Sequence, residues 1–303
     1  MRILIGVDGS PAADVACEFV EGRTWPGGTR VWLVGVVEPL VDRVGLAPPS
    51  GRRQASDEIA LELVLEERAE TLRRHGLNVE TSVEHGHAAD VLIDRATESF
   101  ADLIVVGNRG LGPVARIVLG SVSTHLADHA RCPVLVVRSP EATRMLLATD
   151  GTRSSLAIPR VLAAWGNAFR GLPVEVLSVA PRHAIVTPWG STGDDEVTAP
   201  DELSVHEGIA HEVADEMMEL GWHAAAVARA GDPVRQIIAT GIEWRADLIV
   251  TGSRGLGTLR RMVEGSAAHD VLLHARSSVL VMRGLVPAPI PQMATVPSGL
   301  AQA

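Results

Sequence analysis

Short apolar runs, with hardly a polar residue inside them, recur along the chain near residues 3, 31, 78, 102 and 133. Continuous runs of Val, Leu and Ile suit strands buried on both faces, hence a parallel sheet rather than an alternating one-sided sheet. Between them lie helical patterns. "SDEIALELVLEERAETLRRHG" (56 to 76) reads as a helix with Ser56 as N-cap and Gly76 as its stop. Strand-helix alternation of this kind predicts βαβ units with right-handed crossovers, five parallel strands in all, and helices on both faces.

The same pattern then starts again. "ILIGVDGS" (3 to 10) matches "LLATDGT" (146 to 152), placing Asp8 over Asp150. "LVGVVEP" (33 to 39) matches "VLSVAP" (176 to 181), placing Val36 over Val179. "ADLIVVG" (101 to 107) matches "ADLIVTG" (246 to 252), and "CPVLVVR" (132 to 138) matches "SSVLVMR" (277 to 283), both at an offset of 145. The offset grows only from 142 to 145 along the chain, as small loop insertions would produce. The fold class expected is therefore α/β: two tandem doubly wound sandwiches, each a five-stranded parallel sheet flanked by helices. The domain bounds read as 1–138 and 144–283, followed by a Pro- and Ala-rich tail, 284–303, without periodicity and read as disordered. The last strands, "VLVV" (134 to 137) and "VLVM" (279 to 282), are candidates for pairing across a pseudo-dyad, which would cover exposed sheet edges. Two Pro/Gly-containing stretches, 39 to 55 and 181 to 202, follow the second strand of each copy, on the edge where such sheets bind ligands.

Composition narrows the function. The 303 residues are 46% hydrophobic and 21% charged, ordinary for a globular protein, and aromatics are only 3%. A net charge of −10 argues against nucleic acid as a partner, which would demand a basic face. The opening apolar run is too short for a signal peptide, and the longest uncharged apolar run, 31 to 37, is far below a membrane span. The expectation is a cytoplasmic protein with no membrane partner. Cys17 and Cys132 form neither a disulfide framework nor a metal set.

The chemistry sits in "GNRGLGPVARIVLGS" (107 to 121), between an apolar strand and a helix, and in its repeat "GSRGLGTLRRMVEGS" (252 to 266); nine of the fifteen positions are identical. Glycines let backbone amides approach an anion, and a helix N-terminus adds partial positive charge, so this is a way to hold phosphate. Ser121 can cap the helix or reach a phosphate oxygen, and Arg109 and Arg116, repeated as Arg254 and Arg261, can add charge-assisted bonds. The dinucleotide fingerprint is absent in this register, and neither loop contains the lysine of a Walker loop. An alternative account is a tight turn, with Asp8 capping the helix that begins near Pro11; one glycine would suffice for it.

The spacing that fits is G-x2-G-x9-G-[S/T]: Gly107, Gly110, Gly120 and Ser121, then Gly252, Gly255, Gly265 and Ser266. With Asp8 and Asp150 it makes residues 1 to 283 resemble a tandem universal stress protein of the ATP-binding type. The resemblance implies an adenine nucleotide alpha hydrolase-like, Rossmann-like fold and one potential ATP site per domain, with Mg2+ as a possible companion ion. Carried over residue by residue, it implies Gly6, Asp8, Val36, Val106, Gly107, Arg109, Gly110, Gly112, Arg116, Gly120, Ser121, Val122 and Ser123 for the first site. For the second it implies Ala148, Asp150, Val179, Thr251, Gly252, Arg254, Gly255, Gly257, Arg261, Gly265, Ser266 and Ala267. Asp8 and Asp150 would contact ribose or adenine, Val36 and Val179 would flank the base, and the glycine loops would hold the phosphates. The resemblance further implies an intramolecular pseudo-dimer of the two domains, with a homodimer of the whole chain open.

The expected role is a nucleotide-responsive stress or regulatory factor without dedicated catalysis, since neither copy offers a Walker-B-like partner or a repeated lysine. The alternatives are a slow ATP hydrolase or nucleotidyl enzyme, and a contact-only protein with vestigial sites. The copies differ: Gly6 becomes Ala148, Ser10 becomes Thr152, Ser123 has no hydroxyl counterpart and Glu264 stands where the first copy has Leu119. The first site is therefore expected to be at least as tight as the second. His85 and His87, whose counterparts are Ala230 and Asp232, read as solvated loop histidines rather than metal ligands, and His125 and His129 as a surface helix. "RRM" (260 to 262) reads as phosphate-facing or solvated, and Cys132 as core or edge packing.

Overall fold

The computed structural model describes residues 1–303 except 39–50, 109–119, 182, 188–189, 198–199, 253–266 and 285–303; at 51–54, 183–187, 190–197 and 200 it describes the backbone alone. The first repeat folds as β1 (Arg2–Val7), α1 (Pro11–Glu21), β2 (Arg30–Val37), α2 (Gly51–Arg74), β3 (Asn78–His85), α3 (Ala88–Glu98), β4 (Leu103–Gly107), α4 (Ser121–His129) and β5 (Val134–Val137). The second folds as β6 (Met145–Thr149), α5 (Arg153–Leu156), α6 (Ile158–Ala164), β7 (Pro173–Ala180), β8 (His183–Thr187), β9 (Gly190–Val197), α7 (Pro200–Glu219), β10 (His223–Ala230), α8 (Pro233–Trp244), β11 (Leu248–Gly252), α9 (Ala267–His274) and β12 (Ser278–Met282).

Ten strands form one sheet in the order β10-β7-β6-β11-β12-β5-β4-β1-β2-β3, with β8 and β9 as a separate antiparallel pair. Each half is parallel and repeats one order. The halves meet where β12 runs antiparallel to β5, with Val279 opposite Val136 and Val281 opposite Val134. The central strands β4, β5, β6 and β12 are buried at every position, whereas in the outermost, β3 and β10, every residue but Val79 is exposed or half-buried. The continuous apolar runs therefore mark strands covered on both faces. A repeated acid aligns each half: the Asp102 carboxylate accepts from Arg2 N–H at 2.7 Å, and Asp247 accepts from Thr143 and Arg144 N–H at 2.8 and 3.0 Å. These bonds pin the start of β1 and β6 beside β4 and β11.

One local expectation needs correction. The helix expected from Ser56 begins at Gly51, so Ser56 lies more than a turn inside α2 rather than at its cap. Arg, Gln and Ala, which fill 52 to 55, are good helix formers and extend it backwards. Its end is as expected: Gly76 takes φ +82°, and Leu77 N–H reaches the Leu72 carbonyl at 3.3 Å, closing the last turn. The Pro/Gly-containing stretch 181 to 202 contains the antiparallel pair β8 and β9, which the sequence pattern does not predict; most of 39 to 55 lies outside the described residues, as does the tail from 285.

The two halves also lock through side chains. Arg138 donates to the Leu272 and Ser277 carbonyls at 2.5 and 3.0 Å, and Arg283 donates to the carbonyls of Ala127 and Ala130. Each arginine thus supplies positive charge to the C-terminal end of the other domain's helix, where the helix dipole is negative. His269 faces Asp128 across the same junction at 2.9 Å. On the opposite face Phe19 and Trp25 pack against Phe169 with ring centroids 6.3 and 6.0 Å apart, and Arg23 sits 4.7 Å over the Phe19 ring while donating to the Ala142 carbonyl. Both faces of the sheet consequently carry a hydrophobic core that runs without a break through the two domains. No described helix is long and apolar enough to cross a membrane.

Candidate functional site

In each half the strand order reverses between the first and fourth strands, β1 and β4, then β6 and β11. The crevice outside the carboxyl ends of the strands at such a switch point is where open α/β sheets hold ligands. In the first domain it is framed by Asp8, directly after β1, by Val36 near the end of β2, by Val106 and Gly107 ending β4, and by the start of α4. Gly6 lies one residue from the end of β1, where a Cβ would stand 2.9 Å from Leu92. The glycine-rich loop is closed at its base: Gly120 N–H reaches the Asn108 carbonyl at 2.9 Å, and Asn108 N–H reaches Val137 at 3.0 Å. Arg109, Gly110, Gly112 and Arg116 themselves lie outside the described residues.

The described ends of that loop divide the labour among its glycines. A Cβ on Gly107 would stand 2.4 Å from the Ala12 carbonyl oxygen and 2.9 Å from Ala12 Cβ, so this glycine lets β4 end against the first turn of α1. Gly120, not Ser121, is the N-cap of α4, at φ −63° and ψ 143°, and it supplies no side-chain hydrogen bond to the helix start. Ser121, Val122 and Ser123 occupy the first helical positions. Among the described residues no side chain caps their amides, in contrast to α1, where Ser10 Oγ accepts from Ala13 N–H at 3.2 Å, and α8, where Asp232 accepts from Arg235 N–H at 2.8 Å. A first turn left in this state has donors and dipole charge to offer an anion. The Ser123 hydroxyl is buried and donates to the Gly107 carbonyl at 2.8 Å, tying the helix start to the strand end. Asp8 is not the cap of α1; its carboxylate accepts from Ser10 N–H at 3.0 Å across the turn at Gly9, which takes φ +75°.

The second domain sets Ala148, Asp150, Val179, Thr251, Gly252 and Ala267 at the corresponding places; Arg254, Gly255, Gly257, Arg261, Gly265 and Ser266 lie outside the described residues, as does the "RRM" cluster. Among the described residues Gly252 is less confined than Gly107, since its added Cβ would meet nothing nearer than Ser155 Cβ at 3.7 Å.

What the motif comparison does not point to is a polar network around Asp150. Its Oδ1 accepts from Thr152 N–H at 3.1 Å, from Thr152 Oγ1 at 2.7 Å and from Ser155 Oγ at 2.9 Å. Thr149 Oγ1 lies 3.0 Å from Ser155 Oγ. One strand over, Ser178 Oγ donates to the Thr149 carbonyl at 3.0 Å and lies 2.7 Å from His206 Nδ1 on α7. In the first repeat the aligned residues are Val7, Ala13 and Gly35, and Leu61 fills the place of His206, lying within 2.7 Å of a Cβ built on Gly35. Four apolar positions in one copy are polar in the other, and that one-way change is the signal that could have found them. Burial pulls the His206 imidazole below the usual histidine range, with Glu202 and Asp150 acting in the opposite direction.

The remaining titratable groups do not converge. His85 faces Glu58 at 3.6 Å, His87 is the N-cap of α3 without a side-chain cap bond, and the His125 and His129 rings stack at 4.2 Å. Among the described residues no group of three or more His, Cys, Asp or Glu side chains is arranged to hold a metal ion. Cys17 is buried and Cys132 half-buried, and burial pushes both thiols up to about 12.

The sequence profile of the universal stress protein family matches this chain twice, over residues 1–138 and 141–283. A universal stress protein of Mycolicibacterium smegmatis is 28% identical over 305 residues, and one of Mycobacterium tuberculosis is 29% identical over 307; each alignment covers 93% of this chain and 96% of the relative. The fold is shared with a universal stress protein from Archaeoglobus fulgidus, at TM-score 0.66 and 19% identity over 93% of this chain and 96% of that one. It is also shared with one from Pseudomonas aeruginosa, at TM-score 0.62 and 17% identity over 93% and 92%. Two matched halves, each with the same strand order and the same crevice, make the conclusion plain: the chain belongs to the universal stress protein family.

Proposed function

We propose that this chain is a cytoplasmic ATP-binding member of its family, with one potential site per domain, acting as a nucleotide-responsive stress or regulatory factor. The observation that carries the reading is the first turn of α4, which no described side chain caps, at the switch point, beside Asp8 and at the foot of a glycine-rich loop. Backbone amides and glycines form a donor set for a polyphosphate, not a ligand set for a resident metal; Mg2+ would arrive with the phosphates. Arg109 and Arg116, and their repeats, would add charge to the same anion. Asp8, held by Ser10 N–H, would meet the ribose or base, and Val36 would lie along the base.

The test is to heat-denature the purified protein, separate any released nucleotide by chromatography, and count it per mole of chain. ATP at one to two equivalents is expected. ADP or AMP in its place would favour slow hydrolysis, and no nucleotide followed by no binding of added ATP would overturn the reading in favour of a contact-only role.

A further inference from the structure

The ten-stranded sheet ends in β3 on one side and in β10 on the other, and no described strand pairs with the outer edge of either. Such an edge is a row of unpaired N–H and C=O groups, a template for another strand. The two edges hold equivalent places in the repeat, yet they are finished differently. Gly86 N–H reaches inward to the Val37 carbonyl at 3.2 Å, and Gly231 N–H to the Ala180 carbonyl at 2.9 Å. Main-chain groups alternate in direction along a strand. Those pointing outward therefore belong to Val79, Thr81, Val83 and His85 on β3, and to Ala224, Ala226, Ala228 and Ala230 on β10.

On β3 that row is obstructed. The Arg73 guanidinium reaches over from α2 and donates to the Val79 carbonyl at 3.1 and 3.3 Å, with Glu66 holding it at 2.5 Å. Glu80 and Glu84 share one face of the strand. Pairing with a second β3 about Ser82 would set Glu80 of each copy directly opposite Glu84 of the other, and like charges so placed are destabilising. β10 carries none of these residues. Met218 takes the place of Arg73, Ala225 that of Glu80 and Arg229 that of Glu84. Met218 and Ala225 are both exposed.

We propose that β10 is the docking edge for a second copy of this chain, paired antiparallel about a two-fold axis at Val227. In that register Ala226 of each copy lies opposite Ala228 of the other, and Ala224 opposite Ala230. Every outward main-chain group of the strand is then used, in about eight hydrogen bonds. Val227 meets its own copy, and the stem of Arg229 lies over Ala225 while its guanidinium keeps Glu243 at 3.0 Å. No two like charges of the paired strands stand opposite each other. The contact is self-complementary, and because the β3 edges stay obstructed, assembly stops at two chains.

The experiment is sedimentation velocity of the full-length chain, without added nucleotide, over a wide range of concentration. Each variant is first checked for parent-like circular dichroism and thermal midpoint. A dimer is expected for the parent. Ala225→Arg, at an exposed position, sets an arginine opposite Arg229 twice per dimer and should weaken association about tenfold. Ala225→Glu sets a carboxylate there instead and should hold the dimer at least as tightly as the parent. Ala226→Pro removes an outward N–H, where an edge strand tolerates proline, and should give monomers. The two Ala225 variants decide the question even if Ala226→Pro does not fold. Hydrogen exchange of the parent should slow at Ala226 and Ala228 as concentration rises, and stay unchanged at Thr81 and Val83. A monomer at every concentration, a dimer equally tight in both Ala225 variants, or protection that arises on β3 instead would each overturn the proposal.

Discussion

The two glycines that end the fourth strands, Gly107 and Gly252, occupy the same place in the repeated motif, yet they should respond very differently to the same substitution. In Gly107→Ala the new methyl group would stand 2.4 Å from the Ala12 carbonyl oxygen and 2.5 Å from its carbonyl carbon. These are backbone atoms in the first turn of α1, so no side-chain rotation relieves the contact. To restore ordinary separation α1 would have to move by about 1 Å, and its face carrying Ala13, Ala16, Cys17, Phe19 and Val20 is buried in the core. Overpacking of this kind costs about 1–3 kcal/mol, and a backbone neighbour places it near the upper end. In Gly252→Ala the nearest atom among the described residues is Ser155 Cβ at 3.7 Å, ordinary contact. There the reduced freedom of the unfolded chain dominates, giving about 0.5 kcal/mol of stabilisation. Thermal unfolding without added nucleotide should lower the midpoint of Gly107→Ala by roughly 4–10 °C and leave Gly252→Ala at or slightly above the parent. Equal losses in both variants would show that the strand ending itself demands glycine, and no loss in either would show that α1 yields; each result refutes the assignment of Gly107 to helix packing.

Three further outcomes follow from the geometry. Arg245 caps α8 in the left-handed conformation at φ 55°, so Arg245→Gly should stabilise the protein by about 0.5–1 kcal/mol, read as a higher urea midpoint; a lower one would refute the strain. Arg138→Met keeps the bulk of the side chain but removes its bonds to the Leu272 and Ser277 carbonyls, and should lower stability by about 1–3 kcal/mol; an unchanged urea midpoint would show that this bridge adds nothing to the domain junction. Burial raises the Cys17 thiol from 9.0 to about 12, so the stability it confers is complete below pH 9 and is lost as pH rises toward 12. Cys17→Ala should therefore lose less stability than the parent over that window, and a thiol reagent at about pH 8 should label Cys17 only after unfolding.

The architecture was legible because its central strands are buried on both faces and so read as unbroken apolar runs, and because the motifs of the first half recur in the second. Boundaries were less so. Nothing apolar or periodic marks Gly51 to Ala55 as helix, and "GSTGDDEV" forms β9 through pairing with β8 rather than through a hydrophobic pattern. At the candidate site the glycine spacing was visible, but its division of labour was not. That Gly107 answers to Ala12 depends on how closely α1 approaches β4, a distance no spacing encodes, whereas the Ser10 cap is local, a Ser directly before Pro11. The same limit hid His206. Its partner Ser178 lies 28 residues away on a neighbouring strand, and only the packing of α7 on β7 brings the two together.

Joining two copies in one chain puts different demands on different residues. At the junction each domain reads the other's backbone: Arg138 answers to carbonyls of the second domain and Arg283 to carbonyls of the first, so the two must act alike for the halves to lock. The described polar contacts of Asp150, Ser155, Ser178 and His206 stay within the second domain, and nothing in the junction obliges these positions to match those of the first. Val7 and Thr149, Ala13 and Ser155, Gly35 and Ser178, and Leu61 and His206 are pairs of that kind. Even the junction departs from symmetry where no backbone is being read, since the positions equivalent to Asp128 and His269 are Leu273 and Thr124. A dimer of identical chains would have to carry the polar network in both crevices or in neither. The fused chain places it in one, which gives two halves with different linings on a single ten-stranded sheet.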